Sequence, residues 1–495
     1  MARPRGPAFS RAALLLSLTA CAPALPGPGS GAPAVSAAPQ VPWKPPSPSA
    51  APKVAPAPAV EAVPPDLAQR IQRLTVADVV DLALRNNPAT VQAWANARAA
   101  AAAYGAAKAP YFPEVNASGS VTRVKTAAIG GRVAVSQTIY GPSATLSWLL
   151  LDFGGRGGAV EAARQALLSA DWTHNAAIAD VVLQAQVAFY DYVATGALLA
   201  AQEASVRDAE ANLSAAEARR QVGAATIADV LQARTAVSQA RLALNATQGD
   251  RQTARGALAL ALGVPANLPY DVDSVTAPVP VGAIADSVDA LIARAVRDRP
   301  ELAAARADAA AARARVRQLR GSRLPSLAAT GDGGFTYIVN KPGGGGNYTV
   351  GLGLSIPLFN GFGREYSQQQ AEFLADAARA REHGLEQQVT YQVFSAYYAL
   401  QTATRRVRTA DDLMTSAGQS AEVALARYKA GVGTVLDLLA AQSALADARA
   451  QVVQARLAWQ TSLAQLAHDA GALDPKGRAD LRLVPDTLMN ENPSR

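Results

Sequence analysis

The sequence predicts an internally duplicated α+β membrane protein, each copy carrying one helix, two short strands and a long helical hairpin. Three observations predict it. Landmarks along the 495-residue chain recur in the same order at a nearly constant offset. Two Ala-rich stretches keep helical character for about sixty residues each, about 90–100 Å of helix. Between the helices, short segments alternate apolar with small polar residues, the period of a strand whose two faces meet different surroundings.

The chain opens on a leader. Arg3, Arg5 and Arg11 carry its charge, and residues 12–20 form an apolar run too short to span a membrane, so residues 1–20 read as a secretory signal. Cys21, the single cysteine, follows in the run Leu18-Thr19-Ala20-Cys21, which resembles the bacterial lipobox. Acylation of its thiol is expected, and the neutral Ala22 fits delivery to the outer membrane. One cysteine also excludes an intrachain disulfide. Residues 21–65 are mostly Pro, Ala, Gly and Ser, typified by Lys44-Pro45-Pro46-Ser47-Pro48, and read as an extended, lipid-anchored tether.

The first repeat is expected over 66–264 and the second over 287–470. Each begins with a helix, 76–108 and then 287–320, closed by a proline: Tyr111-Phe112-Pro113 in one, Arg323-Leu324-Pro325 in the other. Pro88 and Pro300 stand 212 positions apart, as do Pro113 and Pro325. Two strands follow in each copy. In 115–122, Val115, Ala117, Gly119 and Val121 alternate with Asn116, Ser118, Ser120 and Thr122. In 348–358, Tyr348, Val350, Leu352, Leu354, Ile356 and Leu358 alternate with Thr349, Gly351, Gly353 and Ser355. Segments 145–151 and 327–337 are weaker versions, and Lys341-Pro342-Gly343-Gly344-Gly345-Gly346-Asn347 reads as a loop. Long helices are expected over 158–220 and 364–429, then a Gly-containing turn and a second helix, 227–262 and 435–470. The turns Gly223…Asp229-Val230-Leu231 and Gly431…Asp437-Leu438-Leu439 are 208 apart. Such a period marks duplication of a whole domain. Residues 265–286 and 471–495 lack strong periodicity and read as a linker and a tail.

Apolar-out, polar-in strands near ten residues long suit an outer-membrane barrel. Four strands cannot close one, and open edges in lipid cost several kcal/mol per unpaired group. If these strands span a membrane and are not the face of a soluble sandwich, several chains must share the barrel; three would supply twelve strands.

At this point the chain resembles the TolC-like outer-membrane efflux proteins, on the lipoprotein branch. The carrying motifs are Asn87-Pro88 and Arg299-Pro300, the strand-to-helix passages Leu151-Asp152-Phe153-Gly154 and Pro357-Leu358-Phe359-Asn360-Gly361, and the two Gly turns, Tyr428-Lys429-Ala430-Gly431 leading the second. The resemblance covers about residues 70–470. It implies a homotrimer, a twelve-stranded β-barrel continuous with a periplasmic α-helical barrel, and a closed periplasmic tip. It also implies a periplasmic adaptor and an inner-membrane pump as partners, with 265–286 and the tail forming a belt around the tunnel. The function implied is passive export of small molecules. A type I protein secretion channel and a non-pore, surface-anchored coiled-coil scaffold stay open as alternatives.

At the tip, Thr226 with Asp229 and Thr434 with Asp437 read first as capping boxes, each stabilising its helix by about 1 kcal/mol. The resemblance adds a second role. Asp437, with Asp229 as its first-repeat counterpart, matches a position where the family can carry a lumen-facing acidic ring, which would attract cations to a narrow axis. Two departures weaken a charge latch: Ala440 lacks a second acid and Gly433 replaces a basic tip residue. Gly223, Thr226, Gly431, Gly433 and Thr434 are expected to form the tight turns that dock the adaptor, or simply to stop helices.

Other chemistries find little support. The net charge of +7 is scattered, with no run of five or more basic residues, so no nucleic-acid patch is expected. His174, His383 and His468 are far apart and form no H-E-x-x-H pair, so no metal or cofactor is expected. No phosphate loop or nucleophile–base pair marks an enzyme.

Overall fold

A computed structural model describes residues 36, 38–44, 74–126, 135–267, 270–272, 282–474, 476, 480–481 and 483–485. The signal, Cys21 and most of the tether lie outside the described residues.

The first repeat runs α1 (Val76–Asn86), α2 (Pro88–Ala107), β1 (Glu114–Thr126), β2 (Val135–Leu151), α3 (Gly155–Gln221) and α4 (Ile227–Leu262). After β3 (Gly282–Ile284), the second runs α5 (Val288–Asp298), α6 (Pro300–Gly321), β4 (Ser326–Ile338), β5 (Gly344–Ser355), α7 (Gly363–Lys429) and α8 (Val435–Asp469), and β6 (Leu483–Pro485) follows. The long helices α3 and α7 have 67 residues each, about 100 Å.

The first helix of each repeat, expected to be continuous, is broken. Asn87 and Arg299 are extended (φ −68°, ψ 124° and φ −67°, ψ 125°), and Pro88 and Pro300 start new helices. Proline has no N–H to donate and excludes the helical conformation from the residue before it. Asn87 turns the break into a cap, its Oδ1 accepting from Ala89 N at 2.9 Å.

Each repeat has its own core where this broken helix meets the hairpin. Val79, Val80, Leu82 and Leu84 of α1 pack on Ile178, Val182 and Phe189 of α3 and Leu258 and Leu262 of α4. Leu291 and Leu302 pack on Val389, Val393 and Leu400 of α7 and Trp459 and Leu466 of α8. Fully burying each such side chain stabilises by about 1.5–3 kcal/mol.

The main sheet is antiparallel throughout, in the order β1-β2-β4-β5. Its strands outrun their expected bounds. Segment 145–151 belongs to a strand that begins at Val135 and runs through Gly141-Pro142. Pro142 pairs with Gly119 on the β1 side, while pairing with β4 skips from Tyr140–Tyr337 to Ser143–Gly334. Gly141 lies so close to β4 that a Cβ would sit 1.7 Å from the carbonyl oxygen of Phe335. The presumed loop also gives up Gly344, Gly345, Gly346 and Asn347 to β5, which ends at Ser355, before Pro357.

The linker and tail meet: β3 and β6 pair antiparallel, and Arg294 on α5 donates to Asp480 Oδ2 at 2.8 Å. The tether reading needs one correction. Part of it, 38–44, packs on the body. Asn175 Oδ1 accepts from Trp43 N at 2.6 Å and its Nδ2 donates to Trp43 O at 2.7 Å. The Trp43 ring is buried edge-on against Trp172 with centroids 5.3 Å apart. Trp94 Nε1 donates to Ser36 O at 2.8 Å. A lone tryptophan in a Pro/Ala-rich run is an anchor that composition hides.

Candidate functional site

Directly opposed residues in an antiparallel sheet share a face. The register therefore sorts all four strands at once. Val115 and Val121, Leu146 and Trp148, Leu327 and Ala329, and Val350, Leu352 and Leu354 fall on one face. Ser118 and Ser120, Ser143 and Thr145, Thr330 and Asp332, and Thr349 and Ser355 fall on the other. In the single chain the apolar face is bare: Tyr348 is 84% exposed, Val350 81% and Leu352 72%. A continuous apolar face of this size marks a contact with lipid or protein. The polar face is laced across strands, Ser118 Oγ lying 2.9 Å from Ser143 Oγ. Aromatics gather at both ends of the apolar face. Tyr140 stacks on Tyr337 (5.5 Å) at one, and Trp148 Nε1 donates to Tyr111 O (3.1 Å) at the other. Rings with a polar tip favour such apolar–aqueous boundaries.

At the strand-to-helix passage of each repeat the backbone turns left-handed, at Phe153-Gly154 (φ 48° and 100°) and Gly361-Phe362 (φ 69° and 65°). Arg156 binds this junction together. It is ion-paired with Asp152 at 3.3 Å, donates to the carbonyls of Leu149, Leu150 and Pro110, and lies over the Tyr111 ring at 4.6 Å. Beside it α3 and α6 touch backbone to backbone: a Cβ at Gly158 would meet Gln318 N at 2.4 Å.

At the other end, the tip residues stand as the capping reading expects. Gly223 and Gly431 have φ +77° and +80°, conformations that favour glycine. Thr226 Oγ1 accepts from Asp229 N at 3.2 Å while Asp229 Oδ2 accepts from Thr226 N at 2.7 Å. Thr434 and Asp437 repeat the exchange at 3.1 and 3.3 Å. These bonds from Thr434, aided by the charge of Arg427, hold the Asp437 carboxyl below its usual range. Among the described residues neither aspartate forms an ion pair. Gly433 has a steric reason to be glycine: a Cβ there would come 3.0 Å from Arg427 Cβ and 3.1 Å from Tyr428 N.

The fold joins the two turns through a residue the sequence does not flag. Arg219, just before the first turn, donates to the carbonyl of Tyr428, just before the second, and lies 4.6 Å over its ring. Higher up, Asn212 donates to Gln442 Oε1, and Arg449 pairs with Asp208 at 3.0 Å. Each partner lies more than 200 positions away. The motif Tyr428-Lys429-Ala430-Gly431 is legible; its partner is not.

The sequence profile of the family described as outer membrane efflux protein matches residues 79–264 and again 291–472, once on each repeat. Protein CyaE of Bordetella pertussis is 31% identical over 426 residues, which span 83% of this chain and 86% of that protein. The probable efflux pump outer membrane protein TtgC of Pseudomonas putida is 27% identical over the same shares. Among solved structures, the outer membrane protein VceC from Vibrio cholerae superposes with a TM-score of 0.71 at 20% identity, covering 81% of this chain and 97% of that one.

Proposed function

This chain belongs to the outer membrane efflux protein family, a subunit of an outer-membrane efflux channel, and from that premise we propose how it assembles and conducts. Three chains close one twelve-stranded barrel in the outer membrane, and their long helices enclose a tunnel below it. The observation that carries this is the sheet: four strands, one apolar face, and two edges, β1 and β5, without a neighbouring strand among the described residues. Each open edge leaves roughly half of its strand's N–H and C=O groups unpaired, untenable in lipid unless β1 of one chain pairs with β5 of the next. The duct is passive and exports small molecules delivered by an inner-membrane pump through a periplasmic adaptor. The adaptor docks on the turns built by Gly223, Thr226, Gly431, Gly433 and Thr434. The acylated Cys21 adds a second anchor to lipid.

Asp437, and Asp229 in the first repeat, are the gate candidates. In a trimer each supplies three carboxylates near the axis, and no ion pair among the described residues offsets them. The purified trimer in a planar bilayer tests both parts. Wild-type channels are expected to favour cations, and Asp437→Ala to lose much of that preference. Unchanged selectivity would leave Asp437 as a helix cap alone; failure to isolate a trimer would overturn the shared barrel.

A further inference from the structure

Where α3, α6 and the end of α8 meet, side chains from both repeats converge. His468 Nε2 stands 3.0 Å from Asp180 Oδ1. Glu301 brings a carboxylate oxygen into the same cluster, with all three ligand atoms within 4.8 Å of one another. The other ring nitrogen is already committed. His468 Nδ1 lies 3.0 Å from Asp469 Oδ1, and Asp469 is buried, its two oxygens accepting from Gln465 Nε2 at 3.0 Å each. The buried carboxylate behind Nδ1–H orients the ring; without an ion Nε2–H donates to Asp180, and a metal at Nε2 would take the place of that proton, which leaves to solvent.

Glu301 also accepts from Arg299 through both oxygens, at 3.1 and 3.3 Å. Each carboxylate oxygen has a second lone pair, so Glu301 can hold Arg299 and a cation together. Arg299 is further held by Gln392 Oε1 at 2.5 Å. His468 and Glu301 also line a cavity of about 190 Å³ whose wall includes Asp298, Asp474 and Pro42 of the docked tether segment but not Asp180. It has room for water beside Glu301 and His468.

We propose that His468, Asp180 and Glu301 bind a divalent ion of the zinc class, with water in the remaining position, joining the first repeat to the second. One imidazole and two carboxylates without a thiolate suit zinc better than copper(I) or calcium. With bonds of about 2.0–2.1 Å, neighbouring donors of a tetrahedral ion stand about 3.3 Å apart. The His468–Asp180 spacing is already near that, and Asp180, an exposed side chain, can rotate to suit.

The test uses the purified full-length chain, stripped with EDTA and titrated with zinc chloride against a chromophoric chelator. One zinc per chain is expected. Asp180→Asn, at an exposed position that leaves the fold intact, and His468→Ala should each weaken binding at least about tenfold; Asp469→Asn should weaken it about 10–100-fold by freeing the ring. Zinc K-edge absorption of the wild-type chain should show nitrogen and oxygen neighbours at about 2.0 Å and no sulfur. Absence of zinc uptake, equal affinity in wild type and Asp180→Asn, or a sulfur-containing shell would each overturn the assignment. The absorption spectrum decides the matter even if His468→Ala does not fold.

Discussion

Leu352 and Gly353 are neighbours at nearly the same depth of β5, on opposite faces of the sheet. Leu352 faces Ala329 on the apolar side and is 72% exposed in the single chain. Gly353 is on the polar side, where a Cβ would meet nothing within 4 Å. An arginine at 352 must enter hydrocarbon; at 353 it enters the water-lined interior. A charge on the lipid face costs about 2–4 kcal/mol at the bilayer midplane and about 0–1 kcal/mol near the interfaces; Leu352, joined through Ala329 to Trp148 at the boundary end, belongs toward the lower figure, about 1 kcal/mol. At about 1.4 kcal/mol per tenfold, this shifts the folded-to-unfolded ratio of each chain by roughly fivefold, and the three copies of a trimer together by roughly 100-fold. The assay is the fraction of chain recovered from outer-membrane extracts as a heat-modifiable trimer, backed by urea titration after refolding into vesicles. Leu352→Arg should markedly lower the trimer yield and Gly353→Arg should preserve it. Equal losses for the two, or a normal yield of Leu352→Arg, would refute the assignment of faces and with it the barrel.

Other outcomes follow from the buried residues. Asp171 is fully buried and, among the described residues, has no hydrogen-bond partner; burial pushes its carboxyl up to about 8. The native state therefore holds a proton that the unfolded chain releases near pH 4, so its contribution is complete at low pH and is lost from about pH 4 to 8, by up to about 1.4 kcal/mol per unit. Melting curves at pH 5 and 8 should show wild type falling relative to Asp171→Asn; parallel profiles would rule this out. The buried His174, pushed down by the same desolvation, is common to both proteins and cancels in the difference. Trp43→Ala should cost about 3 kcal/mol at the tether contact and speed amide exchange across 41–44 while sparing α3; unaltered exchange there would contradict the anchor. Gly158→Leu should separate α3 from α6 and cost about 1–3 kcal/mol or more, seen as a lower trimer melting temperature; an unshifted melt would count against the close approach.

Much of this architecture is legible because its signals are local. Thr226, Thr434 and the two Gly turns mark α4 and α8 to within a residue, since a capping box and a left-handed glycine act within one helical turn. Alternation in 348–358 reveals an apolar face because side chains in a strand switch sides at each step. Pro88 and Pro300 are equally visible, yet their effect, a break and not merely a landmark, shows only once Asn87 and Arg299 are seen extended. The full length of 135–151 is not legible, because alternation fades across Gly141-Pro142, where one ladder has a gap while the other continues.

The residues' own order and chemistry thus settle the duplication, the long helices, the strand faces and the caps. Only the tertiary structure brings Arg219 to Tyr428, Arg449 to Asp208 and His468 to Asp180, seats Trp43 on Trp172, and puts the four strands in one register. Those pairings join residues from roughly 130 to 290 positions apart, where loop closure leaves no trace in local propensity. They depend on how two hairpins of about 100 Å lie against one another, a matter of packing between faces and not of any segment's preference.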